Sequence, residues 1–265
     1  VKVDVSRLQT GPELYQALCA ACHGSSGAAD GPGAQSLYPP ARNLRTHRFR
    51  LVSTENHVPT RDDIDSVIAL GMPGTSMRAF TELSAAQRQM LVDEMLRLGR
   101  DGEEERLRRM LRSLGESLSD AEIGEQVRER LTPGRVLVVP PQKTRGNSAI
   151  ERGRTLYFRQ GCQACHGEDG TGADLRLQTD EGVPTRGRDL VNEPLKGGHG
   201  RESIYLRIAL GMPGTPMPAS RTLSQQELSD LTDYCLSLSR EPKRLLTNHQ
   251  RGQQATARAY LEAKK

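Results

Sequence analysis

Four of the five cysteines fall into two copies of one spacing, Cys19-Ala20-Ala21-Cys22-His23 and Cys162-Gln163-Ala164-Cys165-His166. Two thiols one helical turn apart can add to the two vinyl groups along one edge of a porphyrin. The imidazole that follows then projects beneath the ring as an iron ligand. Zinc binding would ask for further Cys or His at matching spacing, and only Cys235 and scattered histidines remain. A thioredoxin-like redox pair has no use for an adjacent histidine, twice. The spacing therefore implies two covalently attached haem c groups. Cys19, Cys22, Cys162 and Cys165 are the attachment points, and His23 and His166 are the proximal ligands to iron.

The elements that must carry these motifs repeat as well. The octapeptide Ile68–Thr75 recurs unchanged as Ile208–Thr215, 140 residues on, whereas the two motif histidines are 143 apart. The intervening loop is thus three residues shorter in the second half. Within it, Arg42-Asn43-Leu44 has a counterpart in Arg188-Asp189-Leu190. Each half predicts a first helix leading into the motif (about 11–22 and 150–165), with Pro12 in its opening turn, and then a glycine-rich loop. A middle helix follows (61–70 and 201–210), ended by Gly71 or Gly211. The last helix starts at Ser84 or Ser224, each three residues before Gln87 or Glu227, the spacing of a capping box. Its apolar positions Leu91, Met95 and Leu98 map onto Leu231, Cys235 and Leu238, so Cys235 reads as a small core residue.

The domain boundaries expected are 1–99 and 149–240, with a connector at 100–148 and a tail at 241–265. In the connector, Glu103-Glu104-Glu105-Arg106 opens a charged helical segment, Ala121–Leu131 suggests another, and Val136–Val139 is a short apolar run between prolines. Residues 240–265 carry seven basic and two acidic side chains, which supplies the chain's net +4. Such an end is usually solvated, and docking to an acidic partner is the functional alternative.

Composition agrees with two buried rings. The 265 residues include three Phe, six Tyr and no Trp, so large flat cofactors must take the place of aromatic core. No run approaches the roughly 18 apolar residues of a membrane-spanning helix. No nucleotide-binding glycine loop, carboxylate pair or nucleic-acid-binding motif is present. Covalent haem is added outside the cytoplasm, so a periplasmic or otherwise exported location is expected. The start, Val1-Lys2-Val3-Asp4, shows no apolar signal segment, so a leader removed on export or left off this sequence is expected.

Iron held by histidine on one side takes a sixth ligand or keeps an open position. A thioether favours ferrous iron and suits electron transfer. Each half offers two methionines, Met72 or Met77 and Met212 or Met217. Met77 follows its histidine by 54 residues and Met217 follows its own by 51. His47, His57 and His199, in polar or glycine-rich loops, read as surface residues. Arg42 and Arg188 could pair with haem propionates, since the guanidinium fork matches a carboxylate. Tyr38, Tyr157 and Phe158 read as packing residues.

Over residues 11–98 and 150–239 the chain resembles bacterial dihaem cytochromes c built from two class I, monohaem-type domains. The matching segments are CAACHGSSG and CQACHGEDG, then GMPGTSMRAF and GMPGTPMPAS. The resemblance implies an all-α class, with two tandem helical domains each wrapped around a covalent haem. Because the family's distal methionine lies in a P-G-T-x-M-P context, it favours Met77 and Met217 as iron ligands. Met72 and Met212 are left to packing. The first half departs from the pattern, with Arg78 where the family has Pro. The resemblance further implies electron transfer between redox partners such as a dehydrogenase, an oxidase or another cytochrome, as a free shuttle or a complex subunit. The rival is a dihaem oxidoreductase, peroxidase- or thiosulfate dehydrogenase-like, which would need one open or non-methionine haem.

Overall fold

The computed structural model describes residues 3–46, 48–141 and 146–262; His47, Lys264 and Lys265 lie outside them. The chain divides into two compact units. One comprises Val1–Phe49, Thr54–Gly71 and Ala79–Val136, and the other Arg50–Ser53, Met72–Arg78 and Leu137–Lys265.

In the first unit, α1 (Gly11–Leu18) starts from a capping box in which Thr10 accepts from the Glu13 amide and Glu13 reaches back to the Thr10 amide. Leu14 and Tyr15 are fully buried on its inner face. The helix closes at Cys19, whose amide donates to the Tyr15 carbonyl at 2.8 Å. One further turn, α2 (Ala20–His23), carries the histidine. The middle helix α3 (Arg61–Leu70) has its own box between Thr60 and Asp63, buries Ile64 and Ile68, and stops at Gly71. The last helix, α4 (Ala85–Leu114), begins at the expected Ser84–Gln87 box but runs for 30 residues. The charged run Glu103–Arg106 is helical as expected, yet it continues α4 instead of opening a separate segment. What sustains it is packing, because Leu107 and Leu111 are buried against Ile123 and Val127 of α5 (Asp120–Leu131). Around that seam Glu103 is shared by Arg106 at 2.5 Å and Arg130 at 3.1 Å.

The second unit repeats the plan. Helix α6 (Asn147–Arg159) leads into α7 (Gln163–His166). Two short strands, β1 (Leu177–Gln178) and β2 (Pro184–Thr185), pair antiparallel with Leu177 opposite Thr185. Then come α8 (Arg201–Leu210) and α9 (Gln225–Leu238), the latter capped by the expected Ser224–Glu227 box. The core joins Leu156 and Tyr157 of α6, Ile204, Tyr205 and Ile208 of α8, and Leu228, Leu231 and Tyr234 of α9. Cys235 is half-buried against this core, and desolvation pushes its thiol up to about 12, so it stays protonated near neutrality. The sequence did not signal the two-residue strands or a final helix, α10 (Asn248–Glu262).

Helices α1 and α4 cross at a glycine, and so do α6 and α9. A Cβ at Gly11 would stand 2.4 Å from the Met90 carbonyl oxygen; one at Gly153 would stand 2.1 Å from that of Asp230 and 2.7 Å from Tyr234 Cβ. Backbone lies on both sides of the contact, so neither helix can yield without shifting the core. Gly153→Ala is expected to destabilise the haem-loaded protein by about 1–3 kcal/mol, read as a lower urea midpoint. Alanine's better helix propensity, about 1 kcal/mol, offsets only part of that. An unchanged midpoint would refute the close approach.

Candidate haem sites

Both motif histidines are held in the same way. His23 Nδ1 lies 2.8 Å from the Arg42 carbonyl oxygen, and His166 Nδ1 lies 2.9 Å from that of Arg188. A carbonyl only accepts, so Nδ1 must carry the proton and Nε2 is left with its lone pair, the form that binds iron. Burial lowers the pKa of both rings and the carbonyl hydrogen bond opposes it only in part, which keeps each imidazole neutral. The carbonyls thus fix both the tautomer and the direction of the ring.

The donor set fits a haem and does not fit a bare metal ion. Among the described residues no group of three or more His, Cys, Asp or Glu converges as a metal cage would. A haem would be held in each motif by the two thiols, with the imidazole as the iron ligand. None of the five cysteines forms a disulfide.

Two tyrosines that sequence reading treated as packing or passed over lock the turn after each histidine. Tyr15 Oη donates to the Gly24 carbonyl and Tyr157 Oη to that of Gly167, each at 2.7 Å. Burial raises both phenol pKa values, so both remain donors. The available signal was a tyrosine in the helix ahead of each motif, four residues before Cys19 and five before Cys162.

The methionine loops match bond for bond. The Met72 amide donates to the Met77 carbonyl at 2.9 Å, and the Met212 amide to that of Met217 at 3.1 Å. Thr75 Oγ1 donates to the Met72 carbonyl and Thr215 Oγ1 to that of Met212, both at 2.7 Å. The same hydroxyls accept from the Met77 and Met217 amides at 3.1 and 3.3 Å. Gly74 and Gly214 turn both loops at φ 73°. Arg78 in place of Pro218 leaves this pattern intact. His166 and Met217 belong to the second unit; His23 belongs to the first, and Met77 sits in the Met72–Arg78 segment grouped with the second.

Of the two arginines, Arg188 donates to Glu193 at 3.0 Å and is thereby partly committed. Glu193, which sequence reading missed, is 1 % exposed. Burial works to raise its carboxyl pKa, but Arg186 and Arg188 outweigh that and hold it below the usual range. Asp189 and Glu193 also draw in the tail: Arg244 donates to them at 2.9 and 3.1 Å. Lys243 donates to the Val191 carbonyl at 3.0 Å. This part of the tail is therefore docked on its own unit, contrary to the expectation of a solvated end, because buried carboxylates require cationic partners. His57 and His199 are half-buried and not on the open surface; His199 Nε2 accepts from the Leu195 amide at 3.3 Å.

The cytochrome c family profile matches residues 8–97 and again 150–239. Curated protein sequences yield no significant match. Among solved structures, a chain of the Kuenenia stuttgartiensis reducing HAO-like protein complex Kustc0457/Kustc0458 is similar. It has a TM-score of 0.72 and 26% identity, covering 91% of this chain and 100% of that one. The paired motifs, neutral histidines and double profile match lead to one conclusion: the chain belongs to the cytochrome c family, as two tandem all-α cytochrome c domains that carry two covalently attached c-type haems and serve electron transfer.

Proposed function

We propose that the chain relays electrons between redox proteins as a subunit of a larger redox assembly, with six-coordinate irons ligated by His23 and Met77 and by His166 and Met217. Each haem, when bound, supplies a one-electron ferric–ferrous couple. The chain's own residues do the rest. Cys19, Cys22, Cys162 and Cys165 anchor, the Arg42 and Arg188 carbonyls orient the proximal imidazoles, and the two threonine-closed loops present methionine. Arg42 and Arg188 are the candidates for propionate contact through their side chains.

The observation that carries this reading is the shared internal bonding of the two loops, each closed by the same hydrogen bonds among its two methionines and its threonine. Like loops offer a methionine to both irons, whereas catalysis at one iron would need that iron open or differently ligated. The similar chain's place in a reducing HAO-like protein complex supports membership of an assembly over a free shuttle. An exported location goes with covalent haem, and no helix among the described residues is long and apolar enough to cross a membrane.

Spectroelectrochemical titration tests the reading. Two low-spin centres, each showing the ferric methionine–iron charge-transfer band until it is reduced, are expected. A high-spin centre, or one without the band, would refute the carrier assignment and revive the oxidoreductase.

A further inference from the structure

The two methionine loops differ at the two positions that flank the proposed ligand. The second reads Thr215-Pro216-Met217-Pro218, the first Thr75-Ser76-Met77-Arg78. Two proline rings fix φ on either side of Met217, which limits the conformations that loop can adopt. The first loop has neither ring, yet it holds the same hydrogen bonds.

Its restraint comes from elsewhere in the chain. Ser76 Oγ donates to Asn248 Oδ1 at 2.7 Å, and Arg251 reaches the same Ser76 hydroxyl at 3.5 Å. Arg251 also donates to Asn248 Oδ1 and to the Leu246 carbonyl, so the acceptor is itself fixed. A box between Thr247 and Gln250, 2.9 and 3.2 Å in its two directions, sets the start of α10. Upstream, Arg244 ties the segment to Asp189 and Glu193. On the other flank Gly74, at φ 73°, packs closely: a Cβ there would lie 3.2 Å from the Pro194 carbonyl oxygen and 3.3 Å from the Arg188 guanidinium. The loop is thus gripped between the segment around Pro194 and the first turn of α10, both outside its own repeat.

We propose that residues 244–251 are a positioning element for the Met72–Arg78 loop: the Asn248–Arg251 pair, through Ser76, does for Met77 what Pro216 and Pro218 do for Met217. This rests on the reading of Met77 as an iron ligand. It gives the C-terminal segment a role other than partner docking, and makes the ligation of one haem depend on residues about 170 positions away in sequence.

The test uses the full dihaem protein and imidazole as a competing ligand. In Asn248→Ala/Arg251→Ala, imidazole is expected to displace one of the two methionines at about fivefold lower concentration, the scale of one lost hydrogen bond. The other methionine should titrate as in wild type. Adding Ser76→Pro to that variant should restore the wild-type titration, a rescue that a merely structural role for the tail would not give. Gln253→Ala, at an exposed position on the same helix, should change nothing. If the double variant titrates like wild type while Met77→Ala removes one methionine–iron band, the positioning role is refuted. If Met77→Ala leaves both bands, the ligand reading falls first.

Discussion

A chain bearing Cys162→Ala and Cys165→Ala is expected to carry one covalent haem where the parent carries two. Haem absorbance per chain should halve, and the intact mass should fall by one haem in addition to the two sulfurs. Without thioether bonds the ring would be held only by packing and by the proposed axial ligands His166 and Met217. The second unit's core joins α6, α8 and α9 around Tyr157, Tyr205 and Leu231, and the ring adds its own apolar area to that core. Each 100 Å² of porphyrin left in water forfeits about 2.5 kcal/mol. A whole domain is stable by only about 5–15 kcal/mol, so loss of the second unit's helical signal should accompany the missing haem. Two haems still covalently bound in this variant would overturn the attachment assignment.

The second large effect separates the methionines. Replacing Met217 by alanine is expected to abolish the charge-transfer band of one haem and to lower that haem's potential by an amount on the order of tenths of a volt, within the roughly 0.8 V that axial ligands command. The sign follows from the ligand: a neutral thioether stabilises the ferrous form, and water or a second nitrogen in its place stabilises the ferric. Met212→Leu should keep both band and potential. Met212 contributes its backbone to the loop, donating to the Met217 carbonyl and accepting from Thr215, and leucine preserves both bonds. If Met212→Leu loses the band and Met217→Ala keeps it, the two roles are exchanged.

Much of this site could be read before any coordinates. The haem motifs are strictly local, and so are the boxes at Ser84 and Ser224 and the stops at Gly71 and Gly211, which is why they were legible. The course of α4 was not. Gly99 and Gly102 weaken a helix by about 1 kcal/mol each on propensity alone, and the burial of Leu107 and Leu111 against α5 overrides that. The acceptors of the histidine protons escaped for a different reason, because every residue has a carbonyl and nothing in its letter marks one as special. Glu193 and Arg244 escaped because a bond across 51 residues leaves no spacing to recognise. The fate of the basic tail follows from that same bond.

Because His23 and His166 are oriented by main-chain oxygen atoms of Arg42 and Arg188, the side chains at those two positions are released from the task. At position 188 the guanidinium answers instead to the buried Glu193, so the side chain serves its carboxylate partner while the main chain aims the imidazole. Aim and charge are thus carried by different atoms of one residue, so the direction of each imidazole survives a change in what its neighbour's side chain binds.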